Sequence, residues 1–199
     1  MGIPTLTQYA SPELIGEILY GDRERTEDPE WRTTGCPTLE EYAPWSVRWC
    51  GMACLRMVLL ARDGQAPSLY DLAKGAESYG AYRSEPDQPE GLIYRPFVSY
   101  VRERFDLDAE VDTDLSIDRL QQVLASGRLV IASVHPEIRR PNNAAPSHRG
   151  GHLVLVTADV DGHVSFHDPS GHTPAALTPT MPWSVFEQYS AQRGISLRL

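Results

Sequence analysis

The stretch WCGMACLRMVL, residues 49–59, opens an apolar run that closes at Asp63 and Gly64. The run is apolar on most faces, and this pattern predicts a buried helix that begins near Cys50. A thiol acts as a nucleophile in its thiolate form, and the free amides and dipole of a helix N-terminus stabilise that negative charge. The sequence therefore predicts a reactive cysteine, Cys50, at the start of a core helix.

The neighbours of Cys50 have different predicted roles. Gly51 carries no side chain, so we expect an open surface where a substrate carbonyl reaches the sulfur and a backbone N–H faces the developing oxyanion. Cys54 lies one turn further along the helix among apolar residues, which predicts a buried core cysteine. Cys36 stands in a Gly-Cys-Pro turn, and we assign it no role.

A predicted β-hairpin supplies a base and its partner. The strand LVLVTAD follows His152, the turn signal is Asp161-Gly162, and the returning strand HVSFHD ends at Asp168. Folding at that turn brings His152 and Asp168 onto neighbouring positions of one ladder. A turn at Val160-Asp161 is the alternative, and such a slip would place the side chains on opposite faces.

The remaining histidines have other predicted roles. His163 and His167 should face away from the site, and His135 and His172 are typical of loops. His148 and His152 have a spacing that zinc sites use, but they lack the helical context and the cysteines lack C-x2-C spacing. We therefore expect neither a metal nor a cofactor. The segment 136–151 is long enough for a functional loop.

The rest of the pattern predicts helices in the first part of the chain and an antiparallel sheet in the second. The predicted helices are 12–20, 68–80, 93–105, 116–127 and 182–192. The predicted strands are 128–135, 152–159, 163–168 and 195–199. A α+β fold follows, with an N-terminal helical part packed on an antiparallel β-sheet.

Length and composition predict one domain over residues 1–199, with residues 1–44 wrapping around it as an arm. The chain has 18 basic and 27 acidic residues and a formal net charge of -9. Nucleic acid and anionic membranes are therefore disfavoured as partners. Three cysteines and the absence of a membrane-spanning run indicate a cytoplasmic protein with free thiols. The sequence does not predict an oligomeric state.

Two motifs resemble those of a known enzyme family. WCGMACLRMVL is similar to the cysteine signature of bacterial papain-like cysteine peptidases related to the double-glycine-leader (bacteriocin-processing) peptidases. GGHLVLVTADVDGHVSFHDPSG, residues 150–171, resembles their catalytic histidine and aspartate segment. The resemblance spans roughly residues 45 to 170. It implies a papain-like fold, with Cys50 as nucleophile, His152 as general base and Asp168 as its partner.

Two departures from the family pattern affect the expected chemistry. Met52 stands where the family has proline, and Pro44 stands where its oxyanion-hole glutamine lies. Ser46, Arg48 or the Trp49 indole are the candidate replacements, and losing one oxyanion donor typically costs a factor of about 10²–10³ in rate.

Several functions agree with these motifs. The expected function is a cysteine hydrolase that cleaves a restricted peptide or amide substrate through an acyl-enzyme thioester. An acyltransferase, ligase or cyclase that uses an amide or thioester substrate is the alternative. A transglutaminase-like enzyme or a non-catalytic binding module also stays open.

Overall fold

The computed structural model describes residues 2–83, 91–141 and 146–199. Within these ranges the strands form one six-stranded antiparallel sheet in the order β1-β6-β2-β3-β4-β5. The strands are β1 Ala109–Asp112, β2 Arg128–Val134, β3 His152–Val160, β4 His163–His167, β5 Thr180–Pro182 and β6 Ser190–Arg198. The predicted α+β architecture is confirmed.

The helices lie mainly before the sheet in the chain. They are α1 Ile15–Tyr20, α2 Leu39–Ser46, α3 Cys50–Asp63, α4 Leu69–Ser78, α5 Tyr94–Phe105, α6 Ile117–Ala125, α7 Pro174–Leu177 and α8 Trp183–Tyr189. Ser68 caps the start of α4, because its Oγ accepts a hydrogen bond from the Asp71 N–H at 3.1 Å. None of the helices in the described ranges is long and apolar enough to cross a membrane.

The sheet separates two apolar clusters. Alternate residues of β3 face opposite sides, so Leu153 and Leu155 join one cluster while Val154 and Val156 join the other. The first cluster includes buried residues of α2, α3, α4 and α5, and the second includes buried residues of α6 and α8. Helix α3 therefore lies against one face of the sheet, where its first residue meets the start of β3.

The N-terminal arm contains more structure than the predicted helix over residues 12–20. That segment forms a short 3-10 turn, Pro12–Leu14, followed by α1. The prediction missed α2 because Pro44 lies inside it, and an internal proline argues against a helix. The arm contacts the rest of the chain through Gln8, whose backbone N–H donates to Pro169 O at 2.8 Å. Strands β1 and β5 were also missed, since four and three residues show too little periodicity.

Candidate active site

Cys50 is the first residue of α3 and is 8% exposed. The preceding residue, Trp49, provides no side-chain cap, and the first backbone bond of the helix runs from the Ala53 N–H to Trp49 O at 2.8 Å. The amides of the first turn therefore have no side-chain cap and point toward the thiol end of the helix. This is the setting predicted from the sequence for a thiolate.

The hairpin has the predicted turn. Val160 pairs with His163, and the two turn residues, Asp161 and Gly162, have φ values of 51° and 77°. Positive φ at both positions is the geometry of a type I′ hairpin turn, which suits an Asp-Gly pair. The alternative turn at Val160-Asp161 is wrong.

A bulge in β3 corrects the simple ladder that the sequence predicted. The pairing shifts by one residue between Val156 and Ala158, and β4 ends with His167 opposite Leu155. Asp168 is the residue after the last paired position of β4, and its carboxylate contacts His152 at the start of β3. The two side chains therefore meet across the end of the hairpin rather than on neighbouring positions of the ladder.

The His152 and Asp168 side chains form a buried pair. His152 Nε2 lies 2.7 Å from Asp168 Oδ1, and the side chains are 3% and 0% exposed. Burial alone lowers the pKa of His152, but the Asp168 charge, its hydrogen bond and a side-chain interaction with Cys50 raise it above its ordinary value. Burial acts in the opposite direction on Asp168 and raises its pKa. The charge and hydrogen bond of His152 outweigh burial, so the pKa of Asp168 lies below its ordinary value. The pair therefore favours an imidazolium next to a carboxylate.

Two residues that the sequence analysis did not identify complete this pair. Ser170 donates from its backbone N–H to Asp168 Oδ1 at 2.8 Å and from its hydroxyl at 2.9 Å, and that hydroxyl lies 3.0 Å from His152 Nε2. Arg139 Nε donates to Ser170 Oγ at 2.6 Å. The only sequence signal for Ser170 was its position two residues after Asp168, and Arg139 had none.

The three candidate replacements for the oxyanion-hole glutamine have different positions. Ser46 is buried, and its hydroxyl donates to Ala43 O at 3.2 Å. The Trp49 indole is fully buried in the core and packs edge-on against Tyr42. Arg48 lines the same cleft as Cys50. Of these three, Arg48 alone reaches the cleft.

The N-terminal arm also reaches this region. Gln8 is 2% exposed, and its Nε2 donates to Ser46 O at 2.8 Å, on the turn that leads to Cys50. Burial raises the pKa of Tyr9 to about 12, against the effect of Arg139 and with a further contribution from Cys50. The arm thus packs close to the candidate nucleophile, which the sequence did not indicate.

The cleft beside Cys50 has a volume of about 230 Å³ and is formed by both halves of the fold. Its lining residues are Val47, Arg48, Cys50, Gly91, Leu92, Tyr94, Ser133, Gly151, His152, Leu153 and Arg193. Gly51 does not leave the open surface that we expected. A Cβ there would lie 2.7 Å from Leu92 Cδ2 and 3.0 Å from Leu153 Cδ1, so Gly51 permits close packing of the cleft wall.

The other cysteines lie away from the cleft. Cys54 is fully buried, its Sγ lies 3.9 Å from Leu153 O, and burial raises its pKa well above the ordinary value. The predicted core role of Cys54 therefore agrees with its position. Cys36 is also buried, and burial raises its pKa to about 11.

The remaining histidines pack outside the pair formed by His152 and Asp168. His163 is exposed at the hairpin turn, and His167 Nδ1 lies 3.4 Å from Thr5 Oγ1. His135 is buried, and its ring packs edge-on against His148 with centroids 4.3 Å apart. His135 also caps the 3-10 turn Pro136–Arg139, because its Nδ1 accepts the Glu137 N–H.

The segment 136–151, predicted as a functional loop, is described in part. Its first residues form the 3-10 turn that carries Arg139, and its last residues, Gly150 and Gly151, lead into His152. Residues 142–145 lie outside the described ranges. The described ends of this loop therefore contribute to the site on both sides of His152.

The sequence matches no protein-family model and no curated protein. Solved structures do match it. A putative C39-like peptidase from Bacillus anthracis aligns with a TM-score of 0.53 and 18% identity, over 76% of this chain and 89% of that one. The peptidase domain of Streptococcus ComA, a bifunctional ABC transporter involved in a quorum-sensing pathway, aligns with a TM-score of 0.51 and 14% identity, over 76% and 91%. The chain has the fold of these peptidases, as the resemblance of its motifs implied.

Proposed function

We propose that the protein is a cysteine peptidase that uses Cys50 as nucleophile, His152 as acid and base, and Asp168 to orient His152. The observation that carries this proposal is the position of His152. Its Nε2 bonds to Asp168 at 2.7 Å, and its ring interacts with the Cys50 side chain at the start of α3. One imidazole thus connects a thiol and a buried carboxylate, which is the arrangement that thiol-based acyl transfer requires.

The proposed reaction begins with attack of the Cys50 thiolate on the carbonyl carbon of a peptide bond. The carbonyl π electrons move to oxygen, and the uncapped amides at the start of α3 stabilise the resulting oxyanion. The tetrahedral intermediate collapses as the His152 imidazolium gives its proton to the leaving amine. The product of this half-reaction is a thioester on Cys50 and a free amine.

Water completes the proposed cycle. His152, now neutral, takes a proton from water while the water oxygen attacks the thioester carbonyl. Collapse of this second intermediate expels the sulfur, releases a carboxylic acid and restores the thiolate and imidazolium. The two structures compared above are named as peptidases, and this is why we propose water as the acceptor rather than an amine or a second thiol.

The test uses a pooled peptide library with mass-spectrometric detection of new termini. We expect cleavage by the wild type and by Cys54→Ala, and loss of at least about 10³-fold of that activity in Cys50→Ala and His152→Ala. The Cys54 variant is the matched control, because it removes a buried thiol of the same helix. Cleavage that survives in Cys50→Ala would contradict the proposal.

A second arm of the same experiment identifies the acceptor. Hydroxylamine added during turnover captures a thioester as a hydroxamate, which the mass of the new C-terminus reports. A hydrolase gives only the free acid without hydroxylamine, and a mixture of free acid and hydroxamate when hydroxylamine is present. Products that carry an amine from the library, with no free acid, would instead establish an acyltransferase.

A further inference from the structure

Strand β6 has a bulge directly beside the cleft. Between its pairings at Gly194 and Ser190, β6 places the three residues 191–193 opposite the single β2 residue Ser133. Gln192, the middle residue, has φ of 53°, a left-handed conformation that is uncommon outside glycine. Bulges of this kind re-aim a side chain near functional sites.

Hydrogen bonds hold the bulge in this conformation. The Gln192 N–H donates to Ser190 Oγ at 3.1 Å, and Gln192 O accepts the Leu115 N–H at 2.8 Å. Ser190 is 2% exposed and Leu115 is 1% exposed, so both contacts are anchored in the interior. Arg193 follows Gln192 directly, so its side chain starts from a backbone position that these hydrogen bonds hold in place.

Arg193 reaches the cleft together with two hydroxyl groups. A Cβ on Gly150 would lie 2.9 Å from Arg193 Nη2 and 3.3 Å from Ser133 Oγ, so this glycine leaves the space that both groups occupy. Burial raises the pKa of the Tyr94 hydroxyl, while its interactions with Ser133 and Arg193 oppose the rise. Arg193, Ser133 and Tyr94 line the cleft that contains Cys50.

The charge of the cleft differs from the charge of the chain. The chain carries a formal net charge of -9, yet Arg48 and Arg193 line the cleft, and its lining in the described ranges contains no carboxylate side chain. Within those same ranges, no ion pair joins Arg193 to an acidic residue. A guanidinium and two hydroxyls that converge in this way match the acceptors of a carboxylate.

We propose that Arg193, with Tyr94 and Ser133, binds a carboxylate of the substrate beside the scissile bond. This inference rests on the proposed function, because it gives the cleft next to Cys50 a substrate class. Either an acidic side chain or a free C-terminal carboxylate has the required chemistry. The substrate class is therefore an acidic peptide or a peptide that ends close to the cleavage site.

The test measures alkylation of Cys50 by three matched probes, so no substrate needs to be known. N-iodoacetyl-glutamic acid α-amide carries only a side-chain carboxylate, N-iodoacetyl-glutamine carries only a C-terminal one, and N-iodoacetyl-glutamine amide is neutral. We expect Cys50 of the wild type to react about tenfold faster with one or both anionic probes than with the neutral one. The preference should decrease with added salt.

Two variants test whether Arg193 causes the preference for anionic probes. Arg193→Met should remove the preference, and its continued reaction with the neutral probe reports that the variant is folded. Arg198→Met is the matched control, since it removes a positive charge from the same strand at an exposed site near Asp108. This control should keep the full preference.

The outcomes separate the two proposals. Equal rates with all three probes, or a preference that persists in Arg193→Met, would overturn the carboxylate site while the peptidase proposal stands. No reaction of Cys50 with any probe, the neutral one included, would overturn both. The probe that reacts faster identifies which carboxylate, side-chain or C-terminal, the cleft binds.

Discussion

Arg139 Nε donates a hydrogen bond to Ser170 Oγ at 2.6 Å, and through that hydroxyl it reaches the carboxylate that partners His152. Arg139 lies on the 3-10 turn after β2, whereas Ser170 follows β4, so the contact joins two separate loops. Both residues act as positioning residues in the proposed mechanism. In that mechanism they hold the orientation of Asp168 through the Ser170 hydroxyl.

Ser170→Ala tests this positioning role. The variant keeps the backbone N–H to Asp168 but loses the hydroxyl, so we expect kcat/KM to decrease about tenfold with little change in KM. The alkaline limb of the pH profile should also move, which a purely structural change would not produce. Ser165→Ala, on β4 with its hydroxyl near Thr180, is the control and should behave as wild type. An unchanged pH profile in Ser170→Ala would contradict the role.

The pH dependence of the proposed peptidase activity should follow the His152 and Asp168 pair. The Asp168 charge raises the pKa of His152 against burial, so the imidazolium persists to higher pH than for an ordinary histidine. Asp168→Asn removes the attraction and leaves the burial, and the pKa of His152 therefore falls. We expect the alkaline limb of kcat/KM to move to lower pH, as measured on any cleaved peptide. A limb that stays in place or moves to higher pH would show that Asp168 does not set the His152 charge.

Gly51→Ala should separate activity from stability. The new Cβ would press on Leu92 and Leu153, two side-chain ends that line the cleft. Alanine is favoured over glycine inside a helix by about 1 kcal/mol, which offsets the cost of this contact. We therefore expect a melting temperature close to that of the wild type and a clear loss of kcat/KM. Adding Leu92→Ala should restore activity, and a double variant that stays impaired would argue against this explanation.

The N-terminal arm should contribute to stability through one buried carboxylate. Asp28 is 1% exposed, and it accepts hydrogen bonds from the Ser11 hydroxyl at 2.6 Å and from the Tyr42 hydroxyl. Asp28→Ala leaves these donors without their acceptor, which we expect to cost about 2–4 kcal/mol in the free energy of unfolding. The exposed Asp22→Ala should change that value by less than about 0.5 kcal/mol. Urea denaturation of both variants tests the difference, and equal midpoints would contradict it.

The sequence predicted the parts of the fold that strong local signals control. The apolar run after Cys50, the Ser68 cap and the Asp161-Gly162 turn each have a local physical cause, and each is present in the structure. The proline-containing helix α2 and the edge strands β1 and β5 were missed. Their formation depends on packing against distant segments, which no local pattern reports.

The candidate site was predictable only for residues within or next to the cysteine motif and the histidine and aspartate motif. The positions of Cys50, His152 and Asp168 follow from a helix start and a hairpin, although the bulge in β3 had no signal in the sequence. Arg139 and Arg193 reach the site from a loop and from a bulged strand at the far end of the chain. Long-range contacts of this kind cannot be inferred from spacing along the sequence.

Iodoacetamide labelling of Cys50 and Cys54 against pH, followed by peptide mass spectrometry, tests directly whether Cys50 is an activated nucleophile. We predict that Cys50 of the wild type reacts at least about 100-fold faster than the buried Cys54 at neutral pH. His152→Ala should slow Cys50 at neutral pH and leave Cys54 unchanged. Two results together would contradict the assignment of Cys50 as an activated nucleophile. Cys50 would label slowly until alkaline pH, as a free thiol does, and His152→Ala would not change its labelling rate.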